Sequence, residues 1–435
     1  MRPPEPHPRR SRLAGLAVAT TLALGAMAGG TPASARDIEI SFGGHAKYRF
    51  HATTVPSSSF LRDFTDSPTL DQSLEVRTNL DVVRGPWKLD AAYQLTGLTG
   101  DTLAFSRDLP AELQAFYPRY PQDDGRFLNL TYVIHDKGRW AAVQRLDRLS
   151  LGFASAKVVL RAGRQALSWG NGLVYSAMDI LNPFDPAAID KEYKTGDDML
   201  YAQYLRSNGD DIQAVAALRR DPASGAVRAN VCSFALKYHA IADNGEADIL
   251  LAHHFGDDLA GVGGNLGLGG AVWRADLVAT RTARRTVLTG VTSLSYSWVL
   301  GGKNVNGLVE YFFNGYGQPG RDYAPASLAA NPELTARFVR GELFTLGRHY
   351  LAGSAMVELH PLFQVTPTIF TNLSDGSLLL QVATRNDLKE NLALLGAFSA
   401  PLGAEGTEYG GIDSGVPGRP LSTGPSLFLQ LGLYF

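Results

Sequence analysis

Residues 426–435 read Ser426-Leu427-Phe428-Leu429-Gln430-Leu431-Gly432-Leu433-Tyr434-Phe435. Leu427, Leu429, Leu431, Leu433 and Phe435 take alternate positions, with Ser426, Gln430 and Gly432 between them. Successive side chains of a strand point to opposite faces, so this pattern makes a strand with one apolar and one polar face. The same period runs through the chain. Ile38, Ile40, Phe42, Ala46, Tyr48 and Phe50 alternate with Glu39, Ser41, His45, Lys47 and Arg49. Leu74, Val76, Leu80 and Val82 alternate with Glu75, Arg77, Asn79 and Asp81. Trp87, Leu89, Ala91, Tyr93 and Leu95 alternate with Lys88, Asp90 and Gln94. Apolar residues do not recur at i+3 and i+4, so helices fit poorly.

A soluble sandwich would alternate in the same way. Strand length and charge placement decide against it. Several strands run for ten or more residues, and a tilted membrane strand needs ~9–11. Charges keep to one face, as when the other meets lipid. The expected fold is therefore all-β, a transmembrane antiparallel β-barrel in which every backbone group pairs across strands. A last amphipathic strand closing on Phe435 resembles the assembly signal of Gram-negative outer-membrane barrels. That resemblance implies recognition by the barrel-assembly machinery and contact with outer-membrane lipid and lipopolysaccharide.

Composition narrows the field further. The chain has 435 residues, 46 Gly and one Cys, with 45% apolar and 19% charged residues. A single Cys excludes a disulfide framework and a Cys-based zinc cluster. A formal charge of -2 gives no ground for nucleic-acid binding. Arg9, Arg10 and Arg12 precede an apolar run from Leu13 to Met27, and Ala33-Ser34-Ala35 is an A-x-A cleavage site. Residues 1–35 thus read as a signal peptide removed near Ala35, which leaves 36–435 as the barrel and places it outside the cytoplasm, in the outer membrane. The leader holds four Arg and one Glu, so its removal takes the formal charge from -2 to -5.

Turn lengths orient the strands, because bacterial barrels have short periplasmic turns and long outer loops. Arg84-Gly85-Pro86 and Asp136-Lys137-Gly138 read as periplasmic turns, and 51–70 and 98–126 as outer loops. Strand 142–154 then runs outward and 156–167 inward. Counting back from Phe435 puts 401–423, Ser374-Asp375-Gly376 and 315–345 outside. The same count puts Arg385 to Lys389, Gly301-Gly302-Lys303 and 256–264 in the periplasm. Asp243-Asn244-Gly245 and Ser207-Asn208-Gly209 become outer hairpins. The total is about 18 strands, within 16–20.

One stretch breaks the alternation: 168–198, with Ser168-Trp169-Gly170-Asn171-Gly172, Asp179, Asn182-Pro183-Phe184-Asp185-Pro186, and a charged run of Asp190, Lys191, Glu192, Lys194, Asp197 and Asp198. Its aromatic residues argue for packing rather than disorder. Strand parity places it on the periplasmic side, where it could narrow the barrel mouth. The strands leading into it carry Arg145, Arg148, Arg161 and Arg164, which could pair with its carboxylates to form a charged constriction. A wet lumen with solvated charges explains the same residues equally well. Arg164 is in phase with Val158, Leu160 and Ala162, toward lipid, so a bulge at Gly163 or an interfacial position is expected.

Gly163-Arg164-Gln165, Ser168-Trp169-Gly170-Asn171-Gly172, Asp179, Asn182-Pro183-Phe184 and Glu192-Tyr193-Lys194-Thr195-Gly196-Asp197-Asp198-Met199 form a block. Together with Arg145-Leu146-Asp147-Arg148-Leu149, it resembles the hallmark of a group of outer-membrane β-barrel proteins akin to porins and to the alginate-export barrel. The resemblance implies fold and location, and more weakly a role in transport.

Motifs for chemistry are sparse. Gly261 to Gly270 fails as a phosphate loop, H-E-x-x-H and G-x-S-x-G are absent, and His253-His254 point to opposite faces. No cofactor or metal is expected. Tyr316, Tyr323 and Tyr350 are candidates for an aromatic track, and Asn331 to Leu346 for a helical plug. The leading expectation is a passive channel for a small or oligomeric solute, not an enzyme. Export or assembly of a surface polysaccharide is the alternative. A barrel lipid or sugar hydrolase, with Ser and His on neighbouring strands, is the third reading.

Overall fold

The computed structural model describes residues 38–435 except 115, 116 and 118. The leader expected at 1–35 lies outside the described residues. The chain forms one antiparallel sheet of nineteen strands. The first strands are β1 (Ile38–Thr53), β2 (Thr69–Arg84), β3 (Trp87–Gly100), β4 (Thr131–Lys137), β5 (Trp140–Ala154) and β6 (Val158–Gln165). Next come β7 (Asp197–Leu205), β8 (Asp211–Ala217), β9 (Ser233–Ala242), β10 (Gly245–His254), β11 (Asp257–Leu268), β12 (Ala271–Arg281) and β13 (Thr286–Leu300). The last are β14 (Lys303–Asn314), β15 (His349–His360), β16 (Phe363–Asn372), β17 (Ser377–Lys389), β18 (Leu392–Leu402) and β19 (Ser426–Tyr434).

The sheet closes because β1 pairs with both β2 and β19. The alternation seen in the sequence explains why. Leu74, Leu89, Leu160, Leu200, Ile249, Leu277, Leu294, Leu429 and Leu433 are exposed on the outer face. Lys47, Glu75, Arg77, Asp248, Asp276, Glu310 and Gln430, at the opposite parity, are buried inside. A closed ring is the arrangement that leaves no unpaired edge along such a two-faced sheet.

The ring is eighteen strands round. Strands β4 and β6 occupy one position between them: β4 pairs with the first residues of β5, and β6 with the last, on the same side. The other side of β5 pairs with β3 over its whole length. This arrangement corrects the expected strand directions. We call the end that carries Ile38 and Phe435 the inner end. Strand β5 runs toward it, antiparallel to β3, and β6 runs outward. The turn at Asp136-Lys137-Gly138 therefore lies at the outer end. Turns at Ser207-Asn208-Gly209 and Asp243-Asn244 lie at the inner end, and 256–264 is an outer turn running into β11. The total survives because two errors cancel. The half-strand β4 counts in the sequence as a full crossing, and the β11–β12 hairpin at Gly269-Gly270 goes unseen in a glycine-rich run. Gly269 and Gly270 both take positive φ, 57° and 98°, as that tight turn requires.

The wall is uneven. Strands β1 and β2 have 16 residues each, whereas β6, β7 and β8 have 8, 9 and 7. Chain 123–130 fills the gap above β6 and buries Arg164 completely. The guanidinium donates to Asp198 at 2.9 Å through Nε, to Asp123 at 2.8 Å through Nη1, and to the Leu128 carbonyl at 2.6 Å through Nη2. Pairing runs without a register shift through Gly163, so the expected bulge is absent. Arg164 is kept off the apolar outer face because another segment covers it.

Removing one partner of a buried charge cluster costs about 3–5 kcal/mol, whereas an isolated cation–aromatic contact is worth about 0.5–2 kcal/mol. Arg161, three residues earlier, lies over the Tyr201 ring at 4.6 Å. Arg164→Ala should therefore lower the urea midpoint of the lipid-reconstituted barrel far more than Arg161→Ala. Equal losses would show that the Asp123–Arg164–Asp198 seam does not hold the wall.

Candidate functional site

Chain 166–196 enters the lumen from the outer end of β6 and returns to β7. It has no helix or strand of its own, so side chains of the wall must satisfy its backbone. Glu310 on β14 does this most directly: its carboxylate accepts the N–H groups of Leu173, Val174 and Tyr175 at 2.7, 3.0 and 2.6 Å. Asp276 on β12 accepts both the backbone N–H and the side-chain amide of Asn171, each at 2.7 Å. Asp248 on β10 takes the same amide at 3.2 Å. Trp169 donates its indole N–H to Gln213 on β8 at 2.7 Å. Gln381 on β17 donates to the Ala187 carbonyl at 3.1 Å.

The charged end of the segment reaches β1. Lys47 donates to Asp190 at 2.7 Å and to Glu192 at 2.6 Å, and Arg49 donates to Asp190 at 3.2 Å. Burial opposes ionisation of Asp190, but the Lys47 ammonium wins and holds its carboxyl below the usual range. Tyr193 lies under the Arg77 guanidinium of β2 at 4.3 Å, and Tyr434 of β19 donates to Glu192 at 3.0 Å. Strands β1, β2, β8, β10, β12, β14, β17 and β19 thus all hold the segment, which puts it across the lumen and not on the periplasmic side.

The pairing expected from the sequence is only partly present. Arg145 and Arg148 face inward, but their carboxylate partner is Asp147 of their own strand, at 3.5 and 2.6 Å. Arg148 also donates to the Lys194 carbonyl. Arg161 meets Tyr201, and Arg164 belongs to the wall seam. Within the segment Lys194 pairs with Asp179 at 2.6 Å. Asp197 pairs with Arg219 of the chain after β8, at 2.5 Å. Asp185 accepts from Ala187 N–H at 2.9 Å, Lys191 donates to the Pro186 carbonyl at 2.9 Å, and Asn182 sits at φ 54°. Among the described residues Asp185 has no ion-pair partner, and burial pushes its carboxyl up. The residues that sequence reasoning missed are Glu310, Asp276, Asp248 and Asp123. The first three show only a carboxylate at inward parity, which a wet lumen would explain as well, and Asp123, in the loop before β4, gives no signal.

The segment divides the lumen. On one side Trp169, Tyr175, Met178, Ile180 and Leu181 pack against inward apolar residues that include Leu250, Val278, Val291, Phe312 and Tyr350. Tyr175 stacks on Phe312 with centroids 4.9 Å apart and planes at 7°. Outer loop 315–348 closes over this half, with α3 (Pro325–Ala329) and α4 (Pro332–Val339) adding Leu328 and Leu334 to the same core. Tyr316, Tyr323 and Tyr350 are buried in it, so they form no open aromatic track. On the other side, against β1–β3 and β17–β19, two cavities remain, an outer one of about 880 Å³ and a charged one of about 270 Å³. Both touch Ile189 and Phe428.

Ser233, His254 and Glu342 form a chain: Ser233 Oγ lies 2.7 Å from His254 Nδ1, and His254 Nε2 lies 3.0 Å from Glu342. Ser233 and His254 are neighbours across β9 and β10, the placement a barrel hydrolase would use. Their exposure is 1% and 4%, and Arg219 already donates to Ser233 Oγ at 2.5 Å. A nucleophile must meet its substrate. This set is closed to one and reads as packing.

Fold and site together define a closed β-barrel whose lumen is half filled by its own chain. No family model matches this sequence, and no curated protein matches it. Solved structures do. A mutant of the Rhodopseudomonas blastica porin aligns with TM-score 0.44 and 8% identity, over 91% of this chain and 100% of that one. OccAB4 of Acinetobacter baumannii aligns with TM-score 0.49 and 7% identity, over 91% and 98%.

Outer loop 403–425 also leans on the open half. Glu408 accepts from the Tyr350 hydroxyl and from Asn372 Nδ2 at 2.8 Å, and its N–H donates to Asp375 at 2.8 Å. Burial, aided by Asp375, pushes the Glu408 carboxyl up to about 7. A raised acid favours the docked loop while it is protonated. Docking is then strongest below the free carboxyl's pKa near 4.5 and weakens as pH rises through 7. The loss is at most about 3 kcal/mol, from 1.36 kcal/mol per unit. Proteolysis within 403–425 should be faster at pH 8 than at pH 5, and Glu408→Gln should remove the difference.

Proposed function

We propose that this chain is an outer-membrane channel for passive passage of a small or oligomeric solute, with no chemistry of its own. The observation that carries the reading is the pair of cavities, both bordered by Ile189 and Phe428, between the inserted segment and the wall of β1–β3 and β17–β19. A route bounded by side chains of both signs is how a pore combines passage with selection. Lys47, Arg49 and Arg77 line its lower part with Glu75 and Asp190. With both signs present, no strong preference for anions or cations follows. In this reading 168–198 is the constriction. Asp190 and Tyr193 border the passage, and Trp169, Asp179 and Lys194 anchor the segment from behind.

The apolar outer face suits a bilayer, and closure satisfies the backbone there. Export through a signal peptide cut near Ala35, and insertion by an assembly machinery that reads the strand ending at Phe435, complete the proposal. Export of a surface polysaccharide through the same lumen would need 166–196 to leave it, against the ties to Glu310, Asp276 and Lys47.

Single-channel recording of the refolded barrel in a planar bilayer tests the reading. Wild type should carry a small, steady current. Glu310→Ala frees three backbone N–H groups, each worth about 1.5–3 kcal/mol when bonded to a charge. Its conductance should rise by a factor of about two or more as the filled half of the lumen opens. No current from either protein, with circular dichroism of a folded barrel, would sink the channel reading.

A further inference from the structure

The inward face of a water-filled barrel is polar. On three strands of the wall around the outer cavity, β3, β17 and β19, polar or small inward residues low down give way to a large apolar one higher up. On β19 the inward positions are Gln430 and then Phe428. On β17 they are Arg385, Ala383, Gln381 and then Leu379. On β3 they are Asp90, Ala92, Gln94, Thr96 and then Leu98. Cross-strand pairing sets these phases: Phe428 opposes His51 of β1 and Ala397 of β18, Leu379 opposes buried Phe370, and Leu98 opposes buried Ala141. All three apolar residues line the outer cavity of about 880 Å³. The strands between them line the cavity with His51, Thr53, Thr69, Asp71 and Ser399, and apolar residues return in its loops. The loops after β1 and β3 pack Val55, Leu61, Phe105 and Leu109 into an apolar cap beside it. Phe344 from loop 315–348 and Ile189 from the inserted segment also face it.

Among the described residues, the charged groups lining this cavity are already engaged, and the titratable His51 lies 3.4 Å from the Thr53 hydroxyl. Asp71 accepts from the hydroxyl and N–H of Thr102 at 2.6 and 2.9 Å. Arg119 pairs with Asp136 at 3.2 Å. Glu408 is held by Tyr350 and Asn372, and Asp185 by Ala187 N–H. Burial raises the carboxyls of Asp185 and Glu408 toward their neutral forms. Among the described residues, an ion that left water for this space would find no free counter-charge. A ring or branched hydrocarbon would find apolar contact on several sides, in a volume of the size that encloses drug-sized ligands.

We propose that the outer cavity is a binding vestibule for a neutral solute with an aromatic or branched apolar body. The vestibule selects by apolar contact before the charged passage below is reached. The proposal rests on the channel reading for the solute's onward route, but the binding step stands apart from conduction.

Two neutral glucosides separate the apolar body from the polar head: 4-nitrophenyl β-D-glucoside and methyl β-D-glucoside. Saturation-transfer NMR with the barrel in nanodiscs reads binding without reading current, and empty nanodiscs give the baseline. Ring protons of the nitrophenyl compound should show a signal at least threefold above that baseline, and the methyl glucoside should show none. Phe428→Ser and Leu379→Ser, which restore polar parity, should each cut the ring signal at least threefold. Phe344→Ser, on a loop outside the wall, should do the same if either strand variant fails to fold. The outward-facing Leu429→Ala should leave it unchanged. A ring signal equal to the empty-nanodisc baseline would overturn the proposal. So would a ring signal that survives Phe428→Ser and Phe344→Ser in folded barrels. A barrel that binds the ring and loses it in these variants, yet passes no current, would keep the vestibule and remove the channel.

Discussion

A chain that crosses the inside of a barrel without helix or strand has to find partners for its own N–H and C=O groups. That requirement organises this molecule. Residues 166–196 meet it with carboxylates of the wall: three N–H groups on Glu310 and two donors on Asp276. Each carboxylate is in turn kept from being a buried, unpaired charge by those donors. Cut from the wall, the segment would leave both itself and the wall unsatisfied. Its placement is therefore a shared solution rather than a plug resting in a tube.

Once the segment is fixed, the rest of the interior divides. Its apolar residues turn toward β7–β16, where inward Leu250, Val278, Val291 and Phe312 form a packed core of the kind found in soluble domains. Its charged end turns toward β1 and β2, where Lys47, Arg49 and Arg77 receive it. The two cavities described above lie on that second side. Loop 315–348 seals the packed half and also lends Phe344 to the open one, which the loops after β1, β3 and β18 frame.

The buried seam at Arg164 shows how an uneven wall is maintained. Strand β6 stops after eight residues because the chain turns inward there. The gap is taken by 123–130 and by the half-strand β4, and Arg164 ties 123–130 to β7 through Asp123 and Asp198. A cation at outward parity, a cost if it faced lipid, becomes a structural tie once covered.

The closed ring and the two faces of the wall were legible in the sequence, because alternation is local and recurs from strand to strand, whereas the strand total came out right through two errors that cancel. The odd character of 168–198 was legible too, since it lacks that period and carries aromatic residues and prolines. Strand direction between 138 and 264 was not. A half-strand and a full strand have the same alternation, and only the pairing of β5 with β3, β4 and β6 tells them apart. The partners of the segment's charges were not legible either. Asp190 meets Lys47 from 143 residues away, and Glu310 meets Tyr175 from 135 residues away. Such pairs depend on which strands face each other across the lumen. Closure of the barrel decides that, and no local pattern records it.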